Sequence, residues 1–143
     1  MGSRSAIELL QLPVQLHGIR LGQPVDVLLD ASGSRALGLV VHCGDDSDRF
    51  LAYAAADPGG EEIAVPSALL LLEDVAFYLA RSRSLRAVLG ASVAAGDREL
   101  GELRDVLLAH DGRIETLVVE RDGERRELSS EGVSFESPSV SRT

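Results

Sequence analysis

The sequence predicts an all-β fold made of two similar units, and three observations predict it. One phrase occurs twice: Leu21-Gly22 is followed by Asp26-Val27-Leu28-Leu29, and Leu100-Gly101 by Asp105-Val106-Leu107-Leu108, with Gly101 lying 79 positions after Gly22 (101 − 22). Short apolar, β-branched runs alternate with tight turn signals along most of the chain. Only one short segment, near the middle, has helical spacing. A phrase repeated at fixed spacing marks one supersecondary unit used twice. Short strands and tight turns favour small antiparallel barrels over a sandwich of long strands, and closure would remove exposed sheet edges.

Each element has a local reason. Val25 to Leu29 is the first clear strand, and Asp30-Ala31-Ser32-Gly33 is its turn, because Gly supplies positive φ and Asp and Ser bond back to the backbone. Leu37 to Val41 returns. Gly44 to Asp48 is a polar, acidic loop, and Phe50 to Ala54 a third strand. Asp57-Pro58-Gly59-Gly60 is a turn. Ile63 to Pro66 is a short strand ended by proline, and the continuous apolar run Leu69 to Leu72 reads as a buried strand. Glu73-Asp74 then suits the positive end of a helix dipole, Val75, Tyr78 and Leu79 fall at helical spacing, and Arg81, Arg83 and Arg86 load the far end, so a short helix is expected over 74–83.

The second unit reads more cleanly. Leu103 to Ala109 is a strand, His110-Asp111-Gly112 its turn, and Ile114 to Glu120 the returning strand. Asp122-Gly123 is a two-residue hairpin loop whose twist matches paired strands, and Arg125 to Leu128 follows it. Val133 to Phe135 is a last short strand. The expected organisation is a first unit over 12–73, a helical connector over 74–86, a second unit over 87–136 and a disordered tail over 137–143, with Met1-Gly2-Ser3 left aside.

Composition narrows the function classes. Aromatic residues make up only 3% of the chain and Trp is absent, so the core must come from Leu, Val, Ala and Ile, and no aromatic platform for stacking bases is indicated. The net charge of −9 disfavours bulk affinity for nucleic acid or anionic lipid. All 14 basic residues are Arg, with no Lys and no Asn, which fits a GC-rich, bacterial genome. Cys43 is the sole cysteine, so no intrachain disulfide can form, which suits the cytoplasm. No leader with a long apolar core is read in the first twenty residues, and no apolar stretch approaches a membrane span, so no membrane insertion is expected.

The phrase L-G-x-x-x-D-V-L-L, its polar glycine turn, an apolar strand such as Leu117-Val118-Val119, and the later Ile63-Ala64-Val65-Pro66-Ser67 together resemble the PRC-barrel family. That family is named for the cytoplasmic domain of the photosynthetic reaction-centre H subunit, and a similar barrel forms the C-terminal half of the ribosome maturation factor RimM. The resemblance implies two small PRC-barrel-like units in pseudo-two-fold repeat. It carries no shared active site, so no catalytic residue follows from it. The first unit departs from the second by extra material around residues 44–62, and Leu128-Ser129-Ser130 stands where the first has Val65-Pro66-Ser67.

Candidate chemistry is sparse. Asp26 and Asp105 could face each other across a pseudo-dyad and hold a cation, but a local hydrogen bond at each strand is the preferred reading, since the repeat itself explains the duplication. His42 and Cys43 are neighbours on a strand and point to opposite faces, so they do not chelate together, and the Asp45 to Asp48 run lacks the Glu that closes a calcium loop. No nucleophile elbow or phosphate-binding loop occurs. The reading is therefore a non-enzymatic interaction module without cofactor or metal, docking a protein partner or a second copy of itself. Its expected surface lies around Leu69 to Leu72 and at Phe77, Tyr78, Arg81, Arg83 and Arg86. The Arg groups could grip phosphate or an acidic segment, with ordinary solubility and helix-end charge as the preferred alternative. The second function in view, an accessory factor in RNA processing or ribosome assembly, follows from the RimM resemblance and runs against the charge.

Overall fold

The computed structural model describes residues 3–135; Met1, Gly2 and the tail expected over 137–143 lie outside the described residues. The chain is mostly strand, in two sheets. It begins with β1 (Arg4–Ser5) and the single turn α1 (Ala6–Leu9), then β2 (Val14–Leu16), β3 (Ile19–Leu29), β4 (Ala36–Cys43) and β5 (Asp48–Ala52). A 3-10 turn (Tyr53–Ala55), β6 (Asp57–Pro58), β7 (Ile63–Ala64), a second 3-10 turn (Ala68–Leu70) and β8 (Leu71–Leu72) follow. Then come α2 (Val75–Leu79), β9 (Arg83–Ser84), α3 (Leu85–Val88), β10 (Ser92–Ala95), β11 (Arg98–Leu108), β12 (Ile114–Arg121), β13 (Glu124–Ser129) and β14 (Ser134–Phe135).

The first sheet has the order β6-β7-β2-β3-β4-β5-β8, with β9 added to β3; the second has the order β13-β12-β11-β10-β14, with β1 added to β11. Both orders run from one edge strand to another, and no closed barrel is found among the described residues. The all-β expectation holds at the level of two sheets.

The offset of 79 carries into the strands. β3 and β11 are each eleven residues long, with every position of one 79 before its counterpart. The pairing of β3 with β4 shifts register between Pro24 and Asp26 and again between Leu28 and Leu29; β11 and β12 shift between Leu103 and Asp105 and again between Leu107 and Leu108. The first bulge of each pair inserts one unpaired residue, Val25 or Arg104, and re-aims the Asp that follows; the second inserts one on the partner strand, Leu37 or Glu115. The glycine of the phrase has a steric cause. A Cβ on Gly22 would come within 2.5 Å of the His42 carbonyl oxygen, and one on Gly101 within 2.8 Å of the Glu120 carbonyl oxygen. Both glycines let the neighbouring strand pass close.

The two sheets meet at their hairpin turns. Ala36 N–H donates to Gly112 O at 2.8 Å and Ile114 N–H to Ser34 O at 2.9 Å, so Arg35 and Arg113 form an antiparallel bridge between the sheets. One continuous core fills the space between them, drawing Val27, Leu39, Val41 and Leu51 from the first sheet and Val93, Leu103, Val106, Leu117 and Val119 from the second. As expected from composition, Leu, Val, Ala and Ile dominate it.

Several elements differ from the sequence reading. The strand expected over Phe50 to Ala54 stops at Ala52, where a 3-10 turn buries Tyr53. The Leu69 to Leu72 run is not a buried strand: Ser67 caps a 3-10 turn there, Leu69 is 86% exposed, and of that run Leu71 turns inward while Leu72 stays exposed. A two-residue strand at a sheet edge can bury only alternate side chains. The helix expected over 74–83 is the five-residue α2, capped by Asp74, whose carboxylate accepts from Phe77 N–H at 3.2 Å. It ends early because Arg83-Ser84 extends alongside β3. The 74–86 stretch is thus more than a connector, since its last part belongs to the first sheet.

Candidate interaction site

The repeated Asp residues hold two arms that cross between the sheets. The first arm, β1 and α1, pairs with β11 of the second sheet, in register Arg4↔Leu108 and Ser5↔Leu107. The second arm, β9 and α3, pairs with β3 of the first sheet, in register Arg83↔Leu29 and Ser84↔Leu28. In each arm a Ser caps a one-turn helix: Ser5 Oγ accepts from Glu8 N–H at 3.1 Å, and Ser84 Oγ from Ala87 N–H at 3.2 Å. In each case the Asp of the opposing long strand completes the cap. Ser5 Oγ donates to Asp105, which also accepts from Ile7 N–H at 3.1 Å; Ser84 Oγ donates to Asp26, which also accepts from Arg86 N–H at 3.2 Å. Each Asp further accepts from the next backbone N–H, Val27 or Val106, at 2.8 Å. Both carboxylates are spent on structure, and each is tied to its own arm.

The arms bury Ala6, Leu9, Leu85 and Val88 almost completely. A fully buried Leu or Val side chain contributes about 1.5–3 kcal/mol, so each arm is a substantial brace. The signal for them was in the sequence: Arg4-Ser5 and Arg83-Ser84 keep the same offset of 79 (83 − 4) as the glycines.

The expected surface residues divide into two groups. Arg83 and Arg86 are bracing groups: Arg83 donates to Phe135 O at 3.0 Å and lies 4.8 Å over the Phe135 ring, and the Arg86 guanidinium donates to Val25 O. Tyr78 covers the outer face of the first sheet, its ring stacked on Phe50 at 3.8 Å over Leu28 and Val40. Phe77 and Arg81 face outward. Phe77 is 46% exposed and meets Tyr78 edge-on at 5.1 Å, and the Arg81 guanidinium lies 3.7 Å over its ring while donating to its carbonyl at 2.8 Å. Leu72, opposite Phe50 in the sheet, is also exposed, so Leu72, Phe77 and Arg81 lie beside the Phe50–Tyr78 stack, and Leu79 at the end of α2 is exposed as well.

The corresponding outer face of the second sheet has no helix over it among the described residues and is polar. Arg104 reaches Glu102 at 3.0 Å and Glu120 at 3.5 Å, and Arg125 reaches Glu120 at 3.5 Å. The acidic loop after β4 is closed by His42, whose ring nitrogens lie 2.8 Å from Asp48 and 3.1 Å from Asp46. The Asp48 hydrogen bond raises the His42 pKa above its ordinary value, with Asp46 adding to it against partial desolvation. Cys43 points inward, and burial pushes its thiol up. Among the described residues no group of three His, Cys, Asp or Glu side chains is arranged to hold a metal ion, and no helix is long and apolar enough to cross a membrane.

No protein-family model matches the chain, and a search of curated proteins finds no match.

Proposed function

We propose that the chain is a non-enzymatic protein-interaction module, an adaptor of PRC-barrel type built from two duplicated units and acting in the bacterial cytoplasm. The observation that carries this reading is the exposure of Leu72 (38%), Phe77 (46%) and Leu79 (47%) within eight residues. A contiguous exposed apolar patch is a mark of an interaction surface. Arg81, held flat on Phe77, adds a cation at the patch and suits an acidic or aromatic partner segment. The side chains with reactive potential support the same reading. Asp26 and Asp105 are committed to the arms, His42 to two carboxylates, and Cys43 to the core.

The test is affinity capture from the native organism with the wild-type chain, Phe77→Ser and Leu79→Ser, followed by binding measurements with the purified partner. The expected result is a partner bound by the wild type and lost at least tenfold by either variant, with unchanged thermal unfolding. A partner bound equally by all three contradicts the placement. Retention on RNA with a steep salt dependence would favour the RNA-accessory reading instead.

A further inference from the structure

β13 is the longest strand with a free side among the described residues. It ends the second sheet and pairs only with β12, whereas the other terminal strands, β6, β8 and β14, have two residues each. The corresponding strand of the first sheet, β5, is paired on its outer side by β8 at Phe50 and Leu51. Asp122 (φ 55°) and Gly123 (φ 84°) form the turn into β13, flanked by the pair Arg121↔Glu124. In a two-residue hairpin the flanking pair bond to each other, and bonding alternates from there. Glu124, Arg126 and Leu128 therefore turn their backbone groups to β12, and Arg125, Glu127 and Ser129 turn theirs outward.

Charges on an edge normally block pairing. Their spacing on β13 selects one partner instead. The strand carries two Glu and two Arg, a net charge of zero on a chain of −9, so this edge adds no repulsion of its own between two copies. A two-fold axis normal to the sheet at Arg126 sets Arg125 of each copy opposite Glu127 of the other, twice, with outward backbone groups facing each other. Arg125 already lies 3.5 Å from Glu120 on the same face. Glu120, Arg125 and the second copy's Glu127 then alternate in sign across three strands. On the other face Glu124 lies opposite Leu128, and Arg126 meets its counterpart at the axis, the one like-charged pair in the register.

We propose that β13 pairs edge to edge with β13 of a second copy of this chain, antiparallel and centred on Arg126, joining two second sheets into one continuous sheet. This surface is separate from the Leu72–Phe77 patch, which stays free for a partner.

Sedimentation of the full chain over a concentration series tests it. The wild type passes from monomer to dimer. Arg125→Glu and Glu127→Arg each weaken the dimer about tenfold, since each sets like charges opposite twice. The double variant recovers to within a few-fold, because the pairs re-form with signs reversed. Arg126→Thr tightens the dimer by removing the like-charged pair. Cooperative thermal unfolding of each variant confirms that it is folded, and Glu127→Pro, which removes an outward N–H, abolishes dimerisation without opening the β12 ladder. A chain monomeric at all concentrations, a dimer indifferent to Arg125→Glu, a double variant that fails to recover, or a dimer lost through Phe77→Ser overturns the proposal.

Discussion

Ser84 donates its hydroxyl hydrogen to Asp26, 58 positions before it in the chain, and that bond ties the arm after α2 to the longest strand of the first sheet. Ser5 and Asp105 repeat the relationship on the second sheet with the arm that opens the described chain. The two bonds run in opposite directions along the sequence, so each half of the chain supplies the brace for the other.

Truncating either carboxylate should therefore cost similar amounts. Asp26→Ala leaves Ser84 Oγ and the Arg86 and Val27 N–H groups without an acceptor, and Asp105→Ala does the same to Ser5, Ile7 and Val106. Each loss is expected at about 1.5–3 kcal/mol, the range for hydrogen bonds to a charged group. Urea unfolding monitored by circular dichroism checks it. A large loss at one Asp and none at the other contradicts the equivalence.

The glycines of the phrase should be intolerant of any side chain. Gly101→Ala meets the Glu120 carbonyl at 2.8 Å and must also hold φ +142°, so a loss of at least about 2 kcal/mol is expected. Gly44→Ala, with open space around its Cβ, should stay within about 0.5 kcal/mol of the wild type. Thermal unfolding of the two variants side by side provides the comparison.

Tyr78 and Phe77 are neighbours with different duties. Tyr78→Ala removes the ring stacked on Phe50 and uncovers Leu28 and Val40, and should destabilise by about 2 kcal/mol. Phe77→Ser should cost under about 1 kcal/mol in stability, because the ring is nearly half exposed. Equal losses would show that Phe77 is a packing residue and would remove it from the docking surface.

His42 makes a signed pH prediction. Its pKa is raised in the folded state by the Asp48 hydrogen bond, so the stabilising contribution is fully present below the unfolded value near 6.5 and fades as pH rises through the folded value. Asp48→Asn should lower the His42 pKa and flatten the stability profile above about pH 6. Histidine ring resonances followed by NMR titration measure it. An unchanged pKa in Asp48→Asn would remove Asp48 as the cause.

Much of this architecture was legible in the sequence, for identifiable reasons. Asp30 to Gly33 and Asp122-Gly123 are turns whose chemistry is local, and the structure places turns at both. The glycine of the phrase was visible as a repeat, but its cause, a carbonyl of the next strand, is a tertiary contact that no local pattern carries. The arms were missed because a two-residue strand joined to a four-residue helix is too short to show either period. Leu69 to Leu72 was misread because an apolar run reports hydrophobicity and not burial. Of the expected surface, Phe77, Arg81 and Arg86 are exposed, while Tyr78, Arg83 and Arg86 also hold partners, Phe50, Phe135, Val25 and Asp26, that are distant in sequence.

The claim on which the account rests is that the crossed arms make the two sheets one cooperative unit around a shared core. Native-state hydrogen exchange on Asp105→Ala tests it most directly. Slow amides of β3 and β4 in the first sheet and of β11 and β12 in the second should lose protection by the same amount, since the arm released from one sheet is continuous with the strands of the other. Loss confined to β10 through β13, with the first sheet as protected as in the wild type, would contradict it.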